Sequence, residues 1–327
     1  MTRKKGWLQG VAAGALQKLS NFDNSRDRIK ALLSMFDTVQ HNSTKELLSP
    51  AVLKIIQAAA AFDVETAKEA GALGYMAKAM VQATIPHSKP NTAYFERENG
   101  IYTLTMSAPS KIGLPYGTKP RLLLLWLTTQ AVKTKKRTLV LGDSLSEFMN
   151  KLGLAPTGGR CGSITHLKEQ MKRLFACSIT CTRDDGSGWA VNNIQIASEA
   201  NFWWNPQEPD QAGVWDSTIT LNEDFFESLI SEAVPIDMRL VGLIQGSPMA
   251  IDVYVWLTYR LAHLKKTTFI PWPLLHAQFG SQIVRRDNFQ RNFREALHRA
   301  CVLYPEAKVE PTKAGLTLRP SRRHIAC

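Results

Sequence analysis

The pattern of apolar positions changes character near residue 90. Up to there, Ala-rich segments over residues 55–62 and 65–83 repeat at helical spacing with no strand-like alternation, which predicts an α-helical extension over residues 1–90. A Pro-containing stretch, residues 85–90, ends it. Beyond Ala93, residues 94–98 and 101–106 alternate on either side of Asn99-Gly100, the signature of a β-hairpin. A helix is predicted from Thr118, with Pro120 in its first turn, to about Lys133, followed by a strand over 138–141. Ser144-Leu-Ser-Glu147 forms a capping box for a helix that places Leu145, Phe148, Met149 and Leu152 on one face and stops at Gly153. The next helix begins near Ser163, with Ile164, Leu167, Met171, Leu174 and Phe175 as its apolar stripe. Strands over 178–183 and 189–196 then flank the turn from Asp184 to Gly188.

The same order returns further along. A helix capped by Ser247-Pro248 runs to about Lys265, a strand covers 268–270, and helices over 273–279 and 287–302 follow, the latter with Phe289, Phe293, Leu297 and Ala300 facing inward. Strands over 308–311 and 315–319 close the unit. Helix, strand, helix, helix, strand, turn, strand is the order of a winged helix. The expected fold is therefore α+β: tandem winged-helix domains over 93–205 and 247–327, an acidic linker and helix over 206–246, and the N-terminal α-helical extension.

Charge sharpens this picture. The formal net charge is +12, and it is unevenly placed. Residues 1–118 carry +5, 119–183 carry +9, 184–259 carry −11 and 260–327 carry +9. Two basic blocks separated by an acidic one fit two modules facing a polyanion. No apolar run approaches the length of a membrane span, and the five cysteines lack the density and spacing of a disulfide framework. Arg3, Lys4 and Lys5 precede a small apolar stretch, but Gln9, Gly10 and Gln17 interrupt it. A cytoplasmic protein with no membrane partner is expected.

In a winged helix the second helix of the pair enters the major groove, and its outer face reads base edges. The candidates for that role are Thr165, Lys168, Lys172 and Arg173 in the first module and Arg285, Arg286, Asn288, Arg291 and Arg294 in the second. Arg pairs bidentately with guanine and Asn with adenine. Candidates for phosphate contact are Lys119, Arg121, Lys135, Lys136, Arg137, Arg160, Lys265, Lys266, Arg322 and Arg323. Catalysis is not expected. Gly113-Leu-Pro-Tyr-Gly117-Thr-Lys119 lacks the spacing of a phosphate loop, and the seven histidines form no metal-ligand motif. No cofactor or metal is implied. Cys177 and Cys181 are expected to pack rather than to ligate, and Phe202, Trp203 and Trp204 to form a domain-interface core rather than a single-strand stacking platform.

Many short pieces then occur in a telling order: Tyr94-Phe-Glu-Arg97, Leu114-Pro-Tyr-Gly117 before Pro120-Arg-Leu122, Ser144-Leu-Ser-Glu-Phe148, Leu152-Gly-Leu154, and Thr157-Gly-Gly-Arg160 leading into Glu169-Gln-Met-Lys-Arg-Leu-Phe175. With them the chain resembles the RepA-type plasmid replication initiators. The resemblance implies binding to repeated duplex-DNA sites at a plasmid origin, help in opening it, and recruitment of the host helicase and other replication proteins. It also implies repression of its own promoter, with homodimers repressing while monomers engage the origin. The chain departs from that pattern at the first wing, where Asp184 and Asp185 would oppose a phosphate-lined groove, so this wing is expected to face protein. A winged-helix transcriptional repressor without initiator activity is the alternative reading.

Overall fold

The computed structural model describes residues 66–202 and 217–325, together with Ile55, Ala58 and Ala59. Residues 1–54 of the expected extension, most of its 55–62 segment, the linker start at 206–216, and Trp203 and Trp204 lie outside the described residues. Every strand pair among the described residues is antiparallel, and the sheets are small and interleaved with helices, as the α+β expectation requires.

The first correction falls in the N-terminal extension. Where a helix was expected over 65–83, the chain makes a turn, a strand β1 (Leu73–Met76) and only a short helix α1 (Lys78–Gln82). Two glycines explain it. Gly71 sits at φ +66, and a Cβ at Gly74 would come within 2.5 Å of Met238, so the strand approaches its neighbour closely. That neighbour belongs to the region expected as an acidic linker. Its described part is folded: β8 (Thr218–Leu221), α5 (Glu223–Glu232), β9 (Val234–Asp237) and α6 (Met238–Ile244), with β9 pairing with β1. Acidic composition here marks the outside of packed elements rather than a spacer.

The first unit begins with the expected hairpin, β2 (Tyr94–Asn99) and β3 (Tyr102–Ser107), turning at Gly100 with φ +61. Helix α2 (Thr118–Thr134) is enclosed on nearly all sides, because Leu122 to Leu127 are all buried. Strand β4 (Thr138–Val140) precedes α3 (Leu145–Lys151). Ser144 caps α3 by accepting from the Glu147 amide at 3.1 Å, and Glu147 reaches back to the Asp143 amide at 2.6 Å. Helix α4 (Ser163–Ala176) buries Ile164, Leu167, Met171 and Leu174 as predicted. Strands β5 (Ser178–Asp184), β6 (Trp189–Ile194) and β7 (Ala197–Asn201) follow. The sheet order is β2-β3-β5-β6, and β4 pairs instead with β8 in the order β4-β8-β7. The first unit thus departs from the expected layout, in which the short strand after the first helix would join the wing.

In the second unit α7 (Pro248–His263) is followed by β10 (Thr268–Pro271), α8 (Trp272–Gly280), α9 (Arg286–Leu303), β11 (Val309–Pro311) and β12 (Gly315–Leu318). Here the sheet order is β10-β12-β11, so the short strand does pair with the closing hairpin. Rings of Trp256, Trp272, Phe279, Phe289 and Phe293 pack edge-on or tilted against one another between the helices.

A buried polar cluster joins the units. Arg121 of α2 forms a bidentate pair with Asp252 of α7 and donates to the carbonyls of Ile85, Pro86 and Gly117. His87 donates from Nε2 to the same carboxylate at 2.7 Å. Arg97 of β2 bonds Thr84 and the Gln278 carbonyl of α8, which packs across β2.

Candidate nucleic-acid interface

The two candidate reading helices offer different surfaces. On α4, Lys172 is exposed and Lys168 is half-buried, its ammonium pKa lowered by burial and by Lys172. Thr165 is exposed, but its hydroxyl is spent on the Gly159 carbonyl at 2.9 Å. Arg173 requires correction. It is buried, donates to the Leu114 carbonyl at 3.2 Å, pairs with Glu169 and lies over the Tyr116 ring at 5.4 Å. With Gln170, whose Oε1 accepts from the Tyr116 amide, it fastens the loop before α2 onto α4 and is removed from the base-reading set.

Helix α9 keeps most of its arginines outside, the exception being Arg299, which is half-buried and paired with Glu295. Phe289, Phe293, Ala296, Leu297 and Ala300 face the core, while Arg286, Arg291, Arg294 and His298 are exposed. Among the described residues Arg286 has no carboxylate partner. Arg285 pairs with Asp287, and Arg291 rests on the half-buried Asn288 at 3.2 Å. Arg294 also holds the structure together, because it donates to the Thr312 carbonyl at 2.9 Å and its guanidinium lies 5.0 Å over the Trp272 ring. It therefore binds the helix to the β11–β12 hairpin. At the tip of that hairpin Lys313 is exposed, a residue the sequence reasoning passed over. The only signal for it was a lone lysine in the Pro311-to-Gly315 turn.

The phosphate candidates divide similarly. Lys135 and Lys136 are exposed just past α2, Arg160 in the glycine loop before α4, Lys265 and Lys266 past α7, and Arg322 and Arg323 in the C-terminal segment. Lys119 is half-buried, and burial lowers its ammonium pKa. Arg137 is half-exposed and engaged with Glu223 at 3.3 Å and the Leu221 carbonyl. Arg121, only 1% exposed and locked on Asp252, is a core residue and not a phosphate contact.

The tip of the β5–β6 hairpin is acidic. Asp185 accepts from the amides of Ser187 and Gly188 and from the Ser187 hydroxyl, which holds its carboxyl at about 2, so it stays charged. Cys177 and Cys181 pack inward, burial pushing their thiols up to about 12 and 11. Phe202 packs on Phe175 at 5.5 Å. Among the described residues no helix is long and apolar enough to cross a membrane.

The family model RepA_C, plasmid encoded RepA protein, matches residues 114–272. That segment is similar to the RepA_C family. It contains every resembling motif from Leu114 to Phe175 and ends at the first residue of α8, so α9 lies beyond the RepA_C match. No curated protein matches the sequence. In three dimensions the chain is similar to a crystal structure of selenomethionine derivatives of domains 2 and 3 of RctB, with a TM-score of 0.48 and 11% identity over 74% of this chain and 95% of that one. A second structure of RctB domains 2-3 gives a TM-score of 0.44 and 11% identity over 73% and 93%.

Proposed function

We propose that this protein initiates plasmid replication by binding repeated duplex sites at the origin. The observation that carries the proposal is α9: an exposed arginine-bearing helix, tied by Arg294 to a hairpin with Lys313 at its tip, on a chain whose 114–272 segment matches the RepA_C family model. The second unit is read as a winged helix, supported by its element order and its β10-β12-β11 sheet, and α9 is its groove-entering helix. The first unit contributes backbone grip through Lys172, Lys135, Lys136 and Arg160, which supply charge and few base-reading groups. Its acidic hairpin, with Trp189 exposed beside Asp184, is assigned to a protein partner, the host helicase or another replication protein. Origin opening and repression of its own promoter complete the proposal, and no nucleotide or metal chemistry is assigned to the chain.

Nuclease protection of the DNA flanking its own gene tests this. Repeated protected sites, on a fragment whose autonomous replication needs the protein, are expected. A single protected operator without origin activity would identify a repressor instead, and no protection at all would overturn duplex binding.

A further inference from the structure

Val284 is 93% exposed, more than any other large apolar side chain among the described residues. A lone apolar residue on a surface is ordinary. Its position is not: it stands in the five-residue turn between α8 and α9, immediately before Arg285 and Arg286, where the proposed groove helix begins. The backbone beneath it is fixed. The Ile283 amide donates to the Gly280 carbonyl at 2.7 Å, the Ile283 carbonyl accepts from His276 Nε2 at 2.7 Å, and the Phe289 amide closes the first turn onto Arg285 at 3.1 Å. Gly280 itself is held so close to Phe289 that a Cβ would lie 2.3 Å from the ring. The turn therefore cannot swing to cover Val284, and a β-branched side chain has little rotamer freedom to lose on contact.

A group with no donor or acceptor can neither grip a phosphate nor pair with a base edge. The major groove presents one apolar feature, the C5 methyl of thymine. We propose that Val284 is a specificity-determining residue that packs on thymine methyl groups, while the neighbouring arginines take phosphate oxygens and guanine edges. This rests on the duplex-reading role proposed above and adds a base preference to it.

The test starts from a duplex enriched out of a random pool by the full-length protein. Each thymine in turn is replaced by deoxyuridine, which keeps its pairing and its O4 acceptor and loses only the methyl. With the unaltered protein, one or two positions should bind roughly threefold to fivefold more weakly, the effect of about one methyl-sized apolar contact. With Val284→Ala those positions should become indifferent to the replacement, and thermal unfolding should not move, since the side chain packs on nothing. Deoxyuridine that is neutral everywhere, or a loss that persists undiminished in Val284→Ala, overturns the assignment. Enrichment of no duplex would instead overturn the DNA-reading role on which it rests.

Discussion

Arg121 grips Asp252 with Nε on Oδ1 at 2.7 Å and Nη2 on Oδ2 at 2.6 Å, and through that pair α2 of the first unit is fastened to α7 of the second. Burial would raise the Asp252 carboxyl, but the Arg121 charge and the His87 hydrogen bond outweigh it and hold it at about 2. Arg97 is also buried here, and its Nε and Nη2 find no hydrogen-bond partner, so the cluster holds two arginines against one carboxylate. Such a junction tolerates no loss of negative charge.

Asp252→Asn should therefore destabilise the fold by about 3–5 kcal/mol, because it strands Arg121 without a counter-ion. Urea unfolding measures it. The double variant Arg121→Met, Asp252→Leu should recover only part of the loss: it no longer strands Arg121, but it leaves buried Arg97 without its one carboxylate and His87 without its acceptor. An unchanged midpoint for Asp252→Asn would show that the pair contributes nothing to the junction.

Acid should weaken the same region in a defined window. Burial lowers His87 to about 4 in spite of its bond to Asp252, with Arg121 and Arg97 opposing its charge further. His324, stacked 4.4 Å from Tyr304 and bonded to the Tyr254 hydroxyl, is likewise lowered to about 4 by burial, against the pull of Glu306 and Asp237. Below the ordinary value of 6.5 the unfolded chain takes up protons that the folded chain refuses. Stability is then complete above about pH 6.5 and is lost as pH falls toward 4, by on the order of 3 kcal/mol for each histidine. The urea midpoint, followed from about pH 7 to 4, should fall across that range and fall less in His87→Gln; a flat profile would contradict both assignments.

Much of this architecture is visible in the chain. The hairpin at Asn99-Gly100, the capping box at Ser144 and the aromatic stripe of α9 are local signals, and each forms where its residues require. What stayed hidden depends on distant partners. Strand β4 carries nothing that tells it to pair with β8, far along the chain, rather than with its own wing. Arg121 and Arg173 look like surface cations until their partners are known. Arg121, however, opens directly onto the apolar run Leu122 to Leu127, and Asp252 is the one acidic residue of a buried apolar helix, so the two opposite charges suggest each other.

Adjacent residues on α4 should separate folding from binding. Arg173→Ala should cost stability, on the order of 1–3 kcal/mol, because it removes bonds to Leu114 and Glu169 and exposes Tyr116. Lys172→Ala should leave the urea midpoint in place and weaken binding to every sequence alike. Reversed phenotypes would mean that Arg173, and not Lys172, is the residue of this pair that meets DNA.

The strongest test of the interface lies in comparing α9 with the loop lysines in a single buffer. Arg286 and Arg291 are exposed on the proposed groove helix, and replacing either with Ala should weaken specific binding by ~1–3 kcal/mol while affecting non-specific DNA much less. Lys136→Ala or Lys265→Ala removes a charge that carries no sequence information, so all duplexes should be weakened equally and the salt slope should become shallower by about one unit. Arg294 should behave like neither class. Its guanidinium is already committed to Thr312 and Trp272, so Arg294→Ala frees the β11–β12 hairpin, and Lys313 loses its fixed position relative to α9. Both specific and non-specific affinity should then fall, by more than a single phosphate contact accounts for. Measured by titration at several salt concentrations, equal losses on both kinds of DNA for Arg286→Ala and Arg291→Ala would mean that α9 grips the backbone and does not read sequence.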